Sequence, residues 1–188
     1  MTDNGLRVRR VVTGTDQDGR AIVLTDGVAP RHHDFATIPG MSETLVWSTA
    51  AGCAVEAAPE DPTPGATSMV AAPGETMLKV VVFPPDAVFA DPSFDPAAAD
   101  AEQARAQPGL AERFERDAPG MHATDTVDYA VVLDGAITLE VDDGRTVVLE
   151  RGDVAIQNGT RHAWRNPTDV PATVAFFVVG AQPSAGST

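Results

Sequence analysis

The 188-residue chain contains one cysteine, one tyrosine and a single lysine, and aromatic residues make up 5% of it. A lone Cys53 excludes an internal disulfide and fits a reducing compartment. No motif surrounds it, and its small neighbours Gly52 and Ala54 read as loop or edge, not as the setting of a nucleophile. Basic residues are also scarce: 13 Lys and Arg stand against 27 Asp and Glu, a net charge of −14. Nucleic acid and anionic membranes are therefore excluded as partners, because attraction to phosphate needs a basic face. No apolar run approaches membrane-spanning length, and the opening ten residues have no hydrophobic leader core. These absences predict a soluble, cytoplasmic protein without internal repeats.

What is present is a chain of ordinary single-domain size, 43% hydrophobic and able to bury a core. Leu6–Val12 and Ala21–Leu24 read as strands around the turn Thr15–Gly19, where Asp18-Gly19 is a hairpin signal. Asp26-Gly27 and Pro30 end the second strand. His32 and His33 follow; neighbours on a strand face opposite ways, so a packing or solvent role is expected for them. Thr44–Ser48 is the next strand, and residues 52–74, rich in Ala, Pro, Glu and Gly, read as a long surface loop. Thr76–Phe83 is a strand closed by Pro84-Pro85. Asp95 as N-cap and Pro96 as first helical residue open a helix that Pro108-Gly109 stops, with a second helical stretch over Leu110–Arg116.

The last half has the clearest pattern. Tyr129–Leu133, Ala136–Val141, Thr146–Leu149, Val154–Ile156, His162–Arg165 and Thr173–Val179 are short strands separated by turn residues, the spacing of a β-sandwich or barrel. His122, Thr124 and Asp128 are separated by even steps, so on one extended strand they share a face, continued by Ala130 and Val132. Tyr129, Val131 and Leu133 point the other way. His162, Trp164 and Asn166 share a face by the same parity. Two imidazoles and a carboxylate converging inside a barrel would suit a first-row metal; hydrogen-bonded core histidines with a turn-capping Asp are the structural alternative.

Two segments, Met121–Gly135 and Gly152–Asn166, together resemble the two motifs of the cupin superfamily, roughly G-x5-H-x-H-x3,4-E-x6-G and G-x5-P-x-G-x2-H-x3-N. His122, Asp128 and Gly135 stand at the first His, the Glu and the closing Gly. Gly152, Gly159, His162 and Asn166 match the second motif, with its first spacing one residue shorter. Thr124 stands where the family has its second histidine ligand, Asp128 replaces glutamate, Gln157 replaces proline, and Arg116 occupies the opening glycine position.

The resemblance, which covers about the last half of the chain, implies an all-β double-stranded β-helix, a cupin or jelly-roll-like barrel. It would span 76–180 with a helical insertion at 95–117, after an N-terminal β-extension and loop over 1–75 and before a flexible tail at 181–188. It further implies a divalent metal ion (Fe, Mn, Zn or Ni) on His122, Asp128 and His162, which would also be the catalytic residues. Thr124, Trp164, Asn166 and Tyr129 are the expected substrate-binding residues. Tyr129 is the one tyrosine candidate for the interior, and no lysine is expected there. Arg161 and Arg165 are candidates for a carboxylate clamp, but parity turns both away from the barrel. The function expected is a metal-dependent enzyme on a small organic molecule, aromatic or carboxylated, of dioxygenase or lyase and decarboxylase type. The alternatives are a metal-free small-molecule binding or sensor protein and a metal-free His/Asp acid–base isomerase or epimerase. The insertion before His122 would lie at the barrel mouth as a lid, a dimer contact or plain packing. The N-terminal strands would extend the open sheet edges and form a homodimer.

Overall fold

A computed structural model describes residues 6–183. The expected tail falls partly outside these residues, as does the start of the N-terminus. The chain forms eleven described strands and one α-helix. β1 (Arg9–Thr15) and β2 (Ala21–Val28) make a hairpin of their own; β3 (Arg31–Asp34), β4 (Ser42–Thr49) and β5 (Thr76–Phe83) follow. After α1 (Pro96–Ala106) come β6 (Thr126–Asp134), β7 (Ala136–Glu140), β8 (Thr146–Glu150), β9 (Val154–Asn158), β10 (Ala163–Arg165) and β11 (Ala172–Gly180). A six-stranded sheet in the order β3-β4-β5-β11-β6-β9 faces a three-stranded sheet in the order β10-β7-β8. This is the all-β barrel architecture expected from the spacing of short strands.

Parity builds the barrel core. Leu45, Met77, Val81, Ala130, Val132, Val174, Phe176 and Val178 project from the large sheet onto Ile137 and Leu149 of the small one. Gly135, between β6 and β7, has φ +71, and a Cβ there would lie 2.7 Å from the carbonyl oxygen of Pro171. Only glycine meets both conditions, which explains the closing position of the first motif.

The N-terminal expectation needs correction. The β1–β2 hairpin does not extend a sheet edge; β3 and β4 do. Val8, just before the hairpin, packs on Val46, Val80 and Ala175 across the outer face of the large sheet. The Arg10 guanidinium lies 5.2 Å from the Trp47 ring centroid and pairs with Asp61. An apolar outer face needs a cover, and the hairpin supplies part of it. β2 also runs past Asp26-Gly27 to Val28, because Arg9 on β1 holds Asp26 with two hydrogen bonds across the hairpin.

Two other segments differ from expectation. Residues 52–74 form a loop, but Met69 and Ala71 are buried in the barrel core, so its second half is a plug. Leu110–Arg116 is not a helix: only a 3-10 turn forms at Ala111–Arg113, after which Phe114 becomes extended. α1 itself starts as expected, with the Asp95 carboxylate accepting from the amides of Ala97 and Ala98. Among the described residues no helix is long and apolar enough to cross a membrane.

Candidate active site

His122 and His162 lie on segments joined by a two-way backbone bridge, each amide donating to the other's carbonyl at 2.9 Å. Their ring centroids are 4.3 Å apart. His122 Nδ1 is 3.1 Å from the Gly120 carbonyl oxygen, and His162 Nδ1 is 2.9 Å from that of Thr160. A carbonyl can only accept, so in each neutral ring the proton sits on Nδ1 and Nε2 keeps its lone pair. Burial, reinforced by the neighbouring His162, lowers the pKa of His122 to about 4. Burial likewise lowers that of His162. Both imidazoles are therefore neutral bases at pH 7.

Aromatic rings wall the pair. Phe114 stands edge-on to His122 at 5.0 Å, Trp164 edge-on to His162 at 5.8 Å, and Phe176 follows at 5.5 Å from Trp164. The second half of the predicted second helix is thus replaced by an extended Phe114 whose ring stands edge-on to His122.

Thr124, at the position of the family's second histidine, is buried, and its hydroxyl lies 2.7 Å from that of Thr126. Asp128 faces inward on β6, and its Oδ1 is buried without a hydrogen-bond partner. Burial raises the Asp128 pKa, against the opposing pull of Thr126, Lys79 and His162. The expected three-ligand metal set is not assembled: among the described residues no group of three His, Cys, Asp or Glu side chains gathers closely enough to hold an ion.

Two expected substrate contacts are corrected. Tyr129 lies on the outer face of β6, 44% exposed, because odd positions of this strand point away from the core. Asn166 is fully buried, but its amide donates to the carbonyls of Phe83 and Val170 while its oxygen accepts from Thr168. Asn166 therefore ties the β10–β11 turn to the end of β5. Arg161 and Arg165 point outward as parity required, onto Glu115 with Asp142 and onto Glu140.

The sequence reading missed Lys79. The only lysine of the chain is 7% exposed, inside the barrel on the face of β5 shared by Met77 and Val81. Its ammonium donates to the Met69 carbonyl at 3.3 Å and lies 3.6 Å from Glu43 Oε1. Its charge reaches His122 and Asp128, lowering the pKa of each. The signal was available: within the strand Thr76–Phe83, position 79 has the parity of the apolar core residues.

Residues 115–179 match the family model described as the cupin domain. Over 64 residues the chain is 47% identical to the phomopsin biosynthesis cluster protein C' of Diaporthe leptostromiformis, a match covering 34% of each chain. It is 29% identical over 66 residues, again 34% of each chain, to the cupin-domain-containing oxidoreductase virC of Hypocrea virens. The match thus spans about a third of the length of these curated relatives. A crystal structure of a sugar phosphate isomerase from a cupin superfamily of Silicibacter pomeroyi superposes with a TM-score of 0.40 at 16% identity, over 77% of this chain and 62% of that one.

Proposed function

We propose that this chain, in which residues 115–179 form a cupin domain, is an enzyme that removes a proton from a small organic molecule held against His122 and His162. The observation that carries the reading is the pair of adjacent neutral imidazoles, each fixed through Nδ1 on a carbonyl so that Nε2 is free to accept a proton. Trp164, Phe176 and Phe114 suit an apolar or aromatic body. The buried Lys79 ammonium favours negative charge developing on a carboxylate or enolate oxygen. Asp128, its pKa raised by burial, is the inward-facing acid that would hold or return a proton in this reading. The name of the Hypocrea virens relative supports an oxidoreductase-type reaction. In such a reaction, proton removal is the part this chain's own residues supply.

The test is deuterium exchange from solvent into the acidic C–H positions of a panel of small keto acids and aromatic acids, followed by NMR. Exchange is expected with wild type and a fall of about 10²–10⁴-fold with His162→Ala. No exchange above buffer on any member of the panel would remove the reading.

A second reading keeps the divalent ion, because metal-binding histidines commonly donate their other ring N–H to a carbonyl, as both do here. It requires Asp128 to come closer to the two rings than it stands. Elemental analysis of protein purified without added metal, repeated on His162→Ala, decides between them. Stoichiometric metal in wild type that is lost in the variant would put the metal reading first.

The outer face of the large sheet supports an assembly proposal. An apolar groove of about 550 Å³ there is lined by Trp47, Leu78, Tyr129, Val131, Val154 and Phe177 among others, with no charged side chain. In a chain of net charge −14, such an uncharged face is where two copies can meet without opposing carboxylates. A homodimer is expected by light scattering at micromolar concentration, and Phe177→Asp should shift it to monomer. A monomeric wild type would exclude this interface.

A further inference from the structure

A second cavity, of about 180 Å³, opens on the β3–β4 side of the barrel and is lined by Arg31, His33, Glu43, Leu45, Met69 and Arg105 among others. Taking a water molecule's share of liquid volume as the unit, it has room for about six heavy atoms. Two features make it more than a surface dent. Neither Arg31 nor Arg105 forms a salt bridge among the described residues, although acids outnumber bases two to one in the chain. Glu43, only 4% exposed, accepts from Gln107 Nε2 at 3.0 Å through Oε2, while its Oε1 has no hydrogen-bond donor. Lys79 stands 3.6 Å from that oxygen, close enough for charge attraction but too far to donate. Gln107 Oε1, in the same buried cluster, is also without a donor.

A desolvated carboxylate oxygen left without a donor is costly, and native structures seldom leave one so. The same cavity presents two guanidinium groups with no carboxylate to hold. One small molecule with an anionic end and a donor end answers both. Arg105 also suits the last turn of α1, where a cation meets the helix dipole, but that role leaves Arg31 and Glu43 Oε1 unexplained.

We propose that this cavity binds a small carboxylic acid bearing an amino or hydroxyl group beside its carboxylate. The carboxylate lies on Arg31 and Arg105, whose planar donors suit bidentate recognition, and the donor group reaches Glu43 Oε1. This site adjoins the proton-transfer site at Lys79, which stands 3.6 Å from Glu43 Oε1, but it uses neither His122 nor His162, so failure of one reading leaves the other standing.

The experiment is calorimetric titration of the full chain with L-alanine, L-lactate, acetate and methylamine. L-Alanine or L-lactate should bind saturably and about ten-fold or more tighter than acetate or methylamine, and the better of the two identifies an amino or a hydroxyl donor. Arg31→Gln and Arg105→Gln should each weaken that binding about ten-fold, with melting temperature unchanged because both side chains reach solvent at the cavity rim. Equal weak binding of all four compounds, or binding indifferent to both arginine variants, would overturn the proposal.

Discussion

Replacing Glu102 by alanine is expected to lower stability by about 3–5 kcal/mol, the largest effect of any single polar substitution in the insertion. Glu102 is a charged residue on the buried side of α1, 6% exposed. Its carboxylate accepts from the amides of Ala36 at 2.9 Å and Thr37 at 2.7 Å, from the Thr37 hydroxyl, and meets His33 Nε2 at 3.0 Å. Burial works against its ionisation, but these hydrogen bonds win and bring the pKa down to about 2. Truncation would leave two amides and a hydroxyl without an acceptor beneath the helix, beside the apolar contacts of Phe35, Ile38 and Ala99. Glu102→Gln keeps an acceptor oxygen and should cost about 1–2 kcal/mol. Urea denaturation at pH 7 reads both. A loss below about 1 kcal/mol for the alanine variant would mean that α1 is held by its apolar contacts alone. The linkage sign is that of a depressed carboxylate: its contribution is complete above the unfolded value near 4.5 and is lost as pH falls toward 2.

The second large effect has a different pH window. His122 has a folded pKa of about 4 against an ordinary 6.5, so on acidification the unfolded chain takes up the proton first. Stability is then highest above pH 6.5 and falls as pH drops toward 4, where this group's contribution levels off. Between pH 8 and pH 5 the loss from His122 alone is about 2 kcal/mol. His162, shifted the same way by burial, adds to it. Asp128 opposes it, since a folded pKa above the ordinary value favours the folded state at lower pH. Urea denaturation at a series of pH values should show this slope in wild type and a flatter one in His122→Gln. A His122 ring that titrates near 6.5 by NMR would show that its burial is not what sets its protonation.

Part of this was legible in the chain as written. Alternation of small and branched residues from Thr126 to Asp134 and from Ala136 to Glu140 dictates which side chains face the core, because the side-chain period of a strand is two. The Asp95-Pro96 pair dictates where α1 starts, because cap and ring act within one turn. The same parity turned Arg161 and Arg165 outward; it did not relate His122 to Asp128, because β6 begins at Thr126 and His122 lies before it on an isolated bridge to His162. Parity also carried enough information to place Lys79 inside and Tyr129 outside; the interior position of a charge was the unexpected term, not the geometry.

Other features have no local cause. The extended Phe114 is set by His122, against which its ring packs, and Leu110–Arg116 has no preference of its own strong enough to resist. Met69 leaves a Pro- and Gly-rich loop to enter the core, where its side chain packs among the barrel residues and its carbonyl accepts from Lys79. Short-range periodicity and turn chemistry were enough to set the strands and their inward faces, whereas the meeting of His122 and His162, 40 residues apart, was implied by the cupin resemblance and made by a long-range bridge. Only the tertiary structure decided that Asp128 stops short of completing a metal set with those histidines, that the β1–β2 hairpin lies over a sheet face, and that Glu43, Lys79 and Gln107 share one buried polar cluster. Those outcomes depend on distances between residues far apart in the chain, and the packing of the two sheets sets them.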